Sequence, residues 1–158
     1  MKTTDNFDEF ELRLINLFEN IDYQNKKSNS EWTRIYRNMF ADFANKENLD
    51  YTENWLWDII LSTNNVQGNL HSIDLIVEIE WNINYHDIKY DFEKLIAGNS
   101  KHKVFVFNGK DEDINRHIES LIEIVKGYSG LLKNDRYLLV GIKSFTDWEN
   151  IYRLYTHE

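Results

Sequence analysis

The sequence contains no cysteine and no proline, and only six of its 158 residues are glycine. Without cysteine the chain can form no disulfide framework, no thiolate zinc site and no cysteine nucleophile. Apolar runs are short as well: none approaches the length of about 18 residues that a membrane helix needs, and the first residues contain no apolar signal core. The sequence therefore predicts a cytoplasmic protein outside the membrane, and its frequent Asn, Ile, Lys and Tyr are typical of an AT-rich bacterial or phage source.

Several catalytic signatures are also missing. The chain has no phosphate-binding G-x-x-x-x-G-K-[ST] loop, no dinucleotide-binding G-x-G-x-x-G and no serine-hydrolase G-x-S-x-G. The chain has five histidines: His71, His86, His102, His117 and His157. They never occur at metal-ligand spacing, and most of them are predicted to be surface residues. These absences leave the carboxylates as the main source of chemistry.

The charge balance is acidic. The chain has 18 Lys and Arg against 27 Asp and Glu, a formal net charge of −9. Proteins that hold DNA or RNA usually present a basic face, and here only Lys26-Lys27 and the pair Lys101 and Lys103 concentrate positive charge. An acidic surface suits a basic protein partner instead. A local basic groove remains compatible with these numbers.

Length and composition predict one globular domain over residues 1–158, with residues 1–48 as an N-terminal helical part. Apolar residues recur at steps of three and four from Phe7 to Ile21, with Asn6 as the expected N-cap. A second such stripe runs from Trp32 to Phe43, and either Ser28 with Glu31 or Ser30 alone could cap it. Two helices are therefore expected before any strand.

The apolar period then changes from 3.6 to 2, which favours strands. Residues 55–61 and 72–81 are predicted to form an antiparallel hairpin around the polar turn at 63–69. Helix 85–97, strand 104–107, a helix opening at Asp111, strand 137–142 and an edge strand at 151–155 are expected to follow. A hairpin followed by β-α-β crossovers predicts an α/β domain with a mixed sheet and helices on both faces.

Carboxylates gather on the predicted hairpin. Glu78 and Glu80 are two residues apart, so both point to one face of their strand. Cross-strand neighbours lie about 5 Å apart, and Asp58 is expected opposite Asp74, Ile76 or Glu78. A divalent cation such as Mg²⁺ or Mn²⁺ would relieve the repulsion among these side chains. The simpler alternative is a solvated strand face.

The order of elements resembles the PD-(D/E)XK nuclease-like, or restriction-endonuclease-like, superfamily. The matching segments are "NWLWDIIL", "IDLIVEIEW" and "IKYDFEKLI", within roughly residues 30–145. The resemblance implies a Mg²⁺-dependent hydrolase in which Asp58 and Glu78 bind metal. Glu80 occupies the usual lysine position, where it could add a metal ligand or accept a proton. Lys94 could then replace the missing lysine, although a helical wheel places Lys89 nearer the apolar face.

Two hypotheses follow from the sequence. The first is a metal-dependent nuclease acting on DNA or RNA through Asp58, Glu78, Glu80 and Lys94. The second is a catalytically inactive interaction module on the same fold, related to defence or immunity, which binds a basic protein.

Five tryptophans could stack on bases, but Trp32 lies on a helical apolar stripe and Trp55 and Trp57 share a strand face with Ile59. Core packing is therefore predicted for these three.

Overall fold

The computed structural model describes residues 6–23, 25, 27–143 and 149–157. Lys26, from the basic pair Lys26-Lys27, and Trp148, one of the five tryptophans, lie outside these residues. No helix within the described part of the chain is long and apolar enough to cross a membrane.

Two helices open the chain, as the apolar periodicity predicts. Helix α1 spans Glu9–Glu19 and helix α2 spans Asn29–Glu47. The predicted cap at Asn6 is wrong, because the capping box of α1 is formed by Asp8 and Glu11. For α2 the structure selects Ser28 with Glu31 from the two alternatives. In each box the cap side chain and the acidic side chain satisfy two free backbone N–H groups at the helix start.

The sheet has six strands in sequence order, from β1 to β6. Strands β1 to β3 run antiparallel, β3 to β5 parallel, and β6 antiparallel to β5. Strands and crossover helices have these bounds: β1 Asp50–Glu53, β2 Ile59–Asn64, β3 Leu70–Glu80, α3 Tyr85–Ile96, β4 His102–Gly109, α4 Asp111–Gly127, β5 Arg136–Lys143 and β6 Glu149–Thr156. The predicted mixed α/β sheet and the edge strand at its end are confirmed.

The start of the hairpin differs from the prediction. Strand β2 begins at Ile59 rather than at residue 55, and a short strand β1 precedes it. Asn54 has a left-handed backbone (φ 56°), and its N–H donates to the Asp58 carbonyl at 3.2 Å. This turn lifts residues 55–58 out of the sheet. Trp55 is 59% exposed instead of packing in the core.

Strand β3 also departs from simple alternation. Its pairing with β2 shifts between Leu61 and Ser62, since Leu61 faces Leu75 but Ser62 faces Ile73. This irregularity moves Ile73 to the opposite side of the sheet from Leu75, where it packs with helices α3 and α4. Regular alternation would instead have placed Ile73 and Leu75, two residues apart, on one face.

Helices cover both faces of the sheet, as predicted. On one face α1 and α2 pack their aromatic side chains over Leu75 and Val77; on the other, α3 and α4 pack over Ile76 and Phe105. Trp32 is buried in the first core, as expected, whereas the partly buried Trp57 belongs to the second and does not share a face with Ile59. Because β2 and β3 are antiparallel, the start of β2 lies beside the end of β3. This edge is also where the parallel strands β3 to β5 end, the usual place for ligands in open α/β sheets.

Candidate active site

The hairpin register decides the position of Asp58. Ile59 pairs with Val77, so Asp58, one residue earlier, lies level with Glu78 rather than with Asp74 or Ile76. The Asp58 carboxylate (Oδ2) accepts a hydrogen bond from the backbone N–H of Ile79 at 2.8 Å. That bond fixes the carboxylate at the sheet edge beside the last residues of β3.

Glu78 is the buried member of the site. Its side chain is 1% exposed, and Oε2 contacts the Lys94 ammonium at 2.9 Å. The other oxygen, Oε1, is buried and has no hydrogen-bond partner among the described residues. Burial raises the pKa of Glu78 to about 8; the Lys94 contact opposes this rise, and the negative charges of Asp58 and Asp91 reinforce it. A buried carboxyl with a raised pKa at the carboxyl edge of a sheet is typical of a functional position.

Helix α3 supplies the positive charge. Lys94 lies between Glu78 and Asp91, whose Oδ1 is 3.4 Å from Nζ, and its side chain is 40% exposed. Burial lowers the pKa of Lys94, but the neighbouring carboxylates of Glu78, Asp91 and Asp58 outweigh it and raise the pKa. Trp57 steadies this part of the helix by donating its indole N–H to the Lys94 carbonyl at 3.1 Å. Lys89, the alternative lysine, pairs with Glu93 at 3.5 Å instead.

Glu80 is close to this group but differently bonded. Its Oε1 accepts the backbone N–H of Asn82, and its carboxyl lies beside that of Asp91. Burial, reinforced by Asp91 and Asp87, raises the pKa of Glu80 to about 7. Glu80 can therefore gain or lose a proton near neutral pH, which suits a proton-transfer role.

The sequence analysis did not include Asp91 of helix α3 among the candidate site residues. The Asp91 side chain is only 21% exposed and contacts both Lys94 and Glu80. Its distance of three residues from Lys94 was a usable signal, because such positions are neighbours on a helix. Together, Asp58, Glu78, Glu80, Asp91 and Lys94 form what we call the edge cluster.

Elsewhere in the described chain, Asp8, Glu11 and His102 bring one potential ligand atom each within 4.8 Å of one another. This group could hold a metal ion; the predicted trio Asp58, Glu78 and Glu80 does not form a group this tight. His102 Nε2 lies 2.8 Å from Asp8 Oδ2, and Glu11 accepts two bonds of 2.6 Å from Arg136. These atoms already pair with protein groups, including a guanidinium. We therefore interpret the group as a structural ion-pair network that attaches α1 to the sheet.

Replacing Arg136 should therefore lower the free energy of unfolding. Glu11 is 2% exposed, and a buried carboxylate that loses its cation costs about 3 kcal/mol or more. We expect Arg136→Leu to lower the free energy of unfolding by that amount in urea titration. Arg116→Leu, at an exposed arginine of α4, should change it by less than about 0.5 kcal/mol. Equal stability of the two variants would show that this ion-pair network does not stabilise the fold.

The prediction that most histidines lie on the surface is wrong for two of the five, which are buried, while His157 is half-buried. His102 is 5% exposed and stacks on Phe10 with ring centroids 4.5 Å apart. His117 is 6% exposed and lies 4.9 Å from the ring of Tyr85. His71 and His86 are exposed, as expected. None of the five belongs to the edge cluster.

Comparison with known proteins gives no relative for this chain: no family model, no curated protein and no solved structure matches it. The fold defines the class of protein: an α/β domain with a six-stranded mixed sheet and helices on both faces. Any more particular assignment depends on the edge cluster itself.

Proposed function

We propose that this protein is a divergent restriction-endonuclease-like enzyme of the cytoplasm that hydrolyses phosphodiester bonds in DNA or RNA with Mg²⁺ or Mn²⁺. The observation that carries the proposal is the contact of Lys94 with the buried Glu78, beside Asp58. The layout supports it too. Helix α2, the antiparallel strands β1 to β3, helix α3 and the parallel strand β4 follow one another in the order that the resemblance implies.

The edge cluster is chemically suited to one small divalent cation. Mg²⁺ prefers carboxylate oxygens, usually takes one or two of them from the protein, and keeps several waters. Asp58 and Glu78 supply such a pair, and no residue in the described part of the chain donates a hydrogen bond to the buried Glu78 Oε1 that a metal would need to displace. When bound there, the ion would lower the pKa of a water ligand and stabilise charge on a phosphoryl group.

Lys94 and Glu80 have separate roles in this proposal. The raised pKa of Lys94 keeps its ammonium charged at neutral pH, so Lys94 acts as a cation beside a phosphoryl oxygen and orients the attacking water. Glu80, with a pKa of about 7, can accept a proton from that water or complete the ligand set. The positive charge usually found at the Glu80 position thus comes from the helix.

A second function is favoured by a different observation. Exposed apolar side chains flank the edge cluster: Trp55 and Leu56 just before Asp58 are each 59% exposed, and Tyr90, one turn before Lys94 on α3, is 67% exposed. Aromatic residues surrounded by acidic charge are a suitable surface for a basic protein partner. On this alternative the chain is a catalytically inactive, defence- or immunity-related module, and Lys94 only neutralises buried carboxylates.

A cleavage assay separates the two functions. Single- and double-stranded DNA and RNA are incubated with the protein in Mg²⁺, in Mn²⁺ and in EDTA. The nuclease proposal expects metal-dependent cleavage of at least one substrate, lost in Asp58→Asn but kept in Asp22→Asn, which changes a carboxylate between α1 and α2. Metal-independent cleavage would reject the metal-dependent proposal, and absence of cleavage by every preparation would reject it and favour the binding module.

A further inference from the structure

A polar depression lies between helix α2 and strand β1, on the face of the sheet opposite helix α3. Its lining combines two guanidinium groups, two hydroxyls, one amide and one carboxylate: Ser30, Thr33, Arg34, Arg37, Asn38 and Glu53. Guanidinium, hydroxyl and amide groups are the side-chain donors that proteins use for phosphate contacts. We call this feature the α2 depression.

Two sets of contacts connect the α2 depression to the sheet edge that carries the edge cluster. Arg37 donates to the Asn54 side chain at 2.6 Å, and the Asn54 N–H donates to the Asp58 carbonyl at 3.2 Å. On the other strand, Trp81, which directly follows Glu80, donates its indole N–H to Thr33 at 2.9 Å. The depression therefore borders the start of β2 and the end of β3 from the opposite face of the sheet.

The two arginines are not equivalent. Arg37 is held by Asn54 and by Glu53, whose carboxylate is 3.5 Å from Nε. Arg34 is exposed and forms no hydrogen bond or ion pair with any residue that the structure describes, although its charge lowers the pKa of Glu31 one turn earlier on α2. Arg34 therefore offers its donors to a ligand, while Arg37 shapes the depression and connects it to the loop before Asp58.

We propose that the α2 depression binds the phosphate backbone of a nucleic-acid strand whose scissile phosphate lies at the edge cluster. This inference rests on the proposed nuclease function and adds to it the path of the substrate. The strand passes from Asp58 over the loop of residues 54–58 to Arg34. The guanidinium, hydroxyl and amide donors gathered in this depression would allow a chain of net charge −9 to bind a polyanion.

Arg34 is the position to test, because among the described residues only the exposed Glu31 carboxylate is influenced by its charge, and no hydrogen bond or ion pair within that part of the chain would be lost. The probe is a fluorescein-labelled single-stranded DNA oligonucleotide, with a duplex of the same sequence, in Ca²⁺ buffer that contains no Mg²⁺. Fluorescence anisotropy gives the dissociation constant at several salt concentrations. We expect Arg34→Ala to weaken binding about fivefold and to reduce the salt slope by roughly 0.7 for a single strand, the contribution of one phosphate contact. Arg34→Lys should retain most of the slope.

Arg116→Ala is the matched control, since it removes an exposed arginine on α4. It should leave both the affinity and the salt slope unchanged. Equal weakening by Arg34→Ala and Arg116→Ala, or no binding of either probe by the wild-type protein, would overturn the inference. Because binding is measured without hydrolysis, its loss is distinguishable from failure of the nuclease proposal. Arg34-dependent binding without metal-dependent cleavage would retain the phosphate contact at the α2 depression but reject the nuclease proposal and the scissile phosphate at the edge cluster.

Discussion

Glu78→Gln is expected to lower metal-dependent cleavage by about two orders of magnitude or more, because it removes a charged ligand from the proposed cation site. The substitution keeps the size and shape of a side chain that is 1% exposed, so the fold should persist. Initial rates of oligonucleotide cleavage in Mg²⁺ and Mn²⁺, with circular dichroism on the same samples, measure both effects.

The same variant has a defined pH dependence of stability. Burial raises the pKa of Glu78 to about 8 in the folded protein, above its ordinary value of 4.5. The protonated carboxyl therefore stabilises the fold fully below about pH 4.5, and this contribution is lost as the pH rises towards 8. Glutamine does not titrate. We expect the stability of Glu78→Gln relative to the wild type to increase from pH 5 to pH 9, as followed by urea unfolding at each pH.

Glu93→Gln is the control for both measurements, since Glu93 is half exposed on α3 and pairs with Lys89. Its activity and its pH dependence of stability should match those of the wild type. If Glu78→Gln cleaved at the wild-type rate, or its relative stability fell with rising pH, the assignment of Glu78 as a buried ligand would be wrong.

Lys94→Met should reduce cleavage about a hundredfold while Mn²⁺ binding persists. The variant removes the cation proposed to stabilise the phosphoryl group, a contribution of the size found for single electrostatic groups in active sites, but leaves Asp58 and Glu78 in place. Since the Lys94 contact lowers the pKa of Glu78, its loss should also shift the pH profile of Mn²⁺ binding upwards. Cleavage assays and calorimetric titrations between pH 6 and 9 test the two effects.

Lys89→Met provides the comparison for this prediction, because Lys89 lies on the same helix and pairs with Glu93 rather than with Glu78. It should retain wild-type cleavage and an unshifted binding profile. Equal loss in the two lysine variants would indicate a general effect of charge on α3. Full activity of Lys94→Met would show that Lys94 only neutralises Glu78.

Much of the architecture could be predicted because it depends on periodicity. The change from a 3.6-residue to a 2-residue apolar repeat separated α2 from the hairpin, and alternation placed Glu78 and Glu80 on one face. The uninterrupted apolar segments of β4 and β5 indicated strands covered on both sides. These features are properties of consecutive residues, so they could be read without knowledge of tertiary contacts.

The features of the fold and of the edge cluster that the sequence could not predict each depend on the conformation of a single residue or on contacts between distant residues. The left-handed Asn54 delays the start of β2 and exposes Trp55, and the irregularity near Ser62 turns Ile73 to the other face. The helical wheel favoured Lys89, yet the long side chain of Lys94 reaches Glu78. Asp8, His102 and Arg136 are far apart in sequence and meet only in the folded chain.

The central claim is a cation site formed by Asp58 and Glu78, and calorimetric titration with Mn²⁺ tests it most directly. Wild-type protein and the double variant Asp58→Asn, Glu78→Gln are titrated in parallel at a pH near 8, with and without a single-stranded DNA oligonucleotide. We predict binding by the wild type that the folded double variant has lost. Mn²⁺ binding that is unchanged in the double variant, or absent from both proteins in both conditions, would contradict the claim.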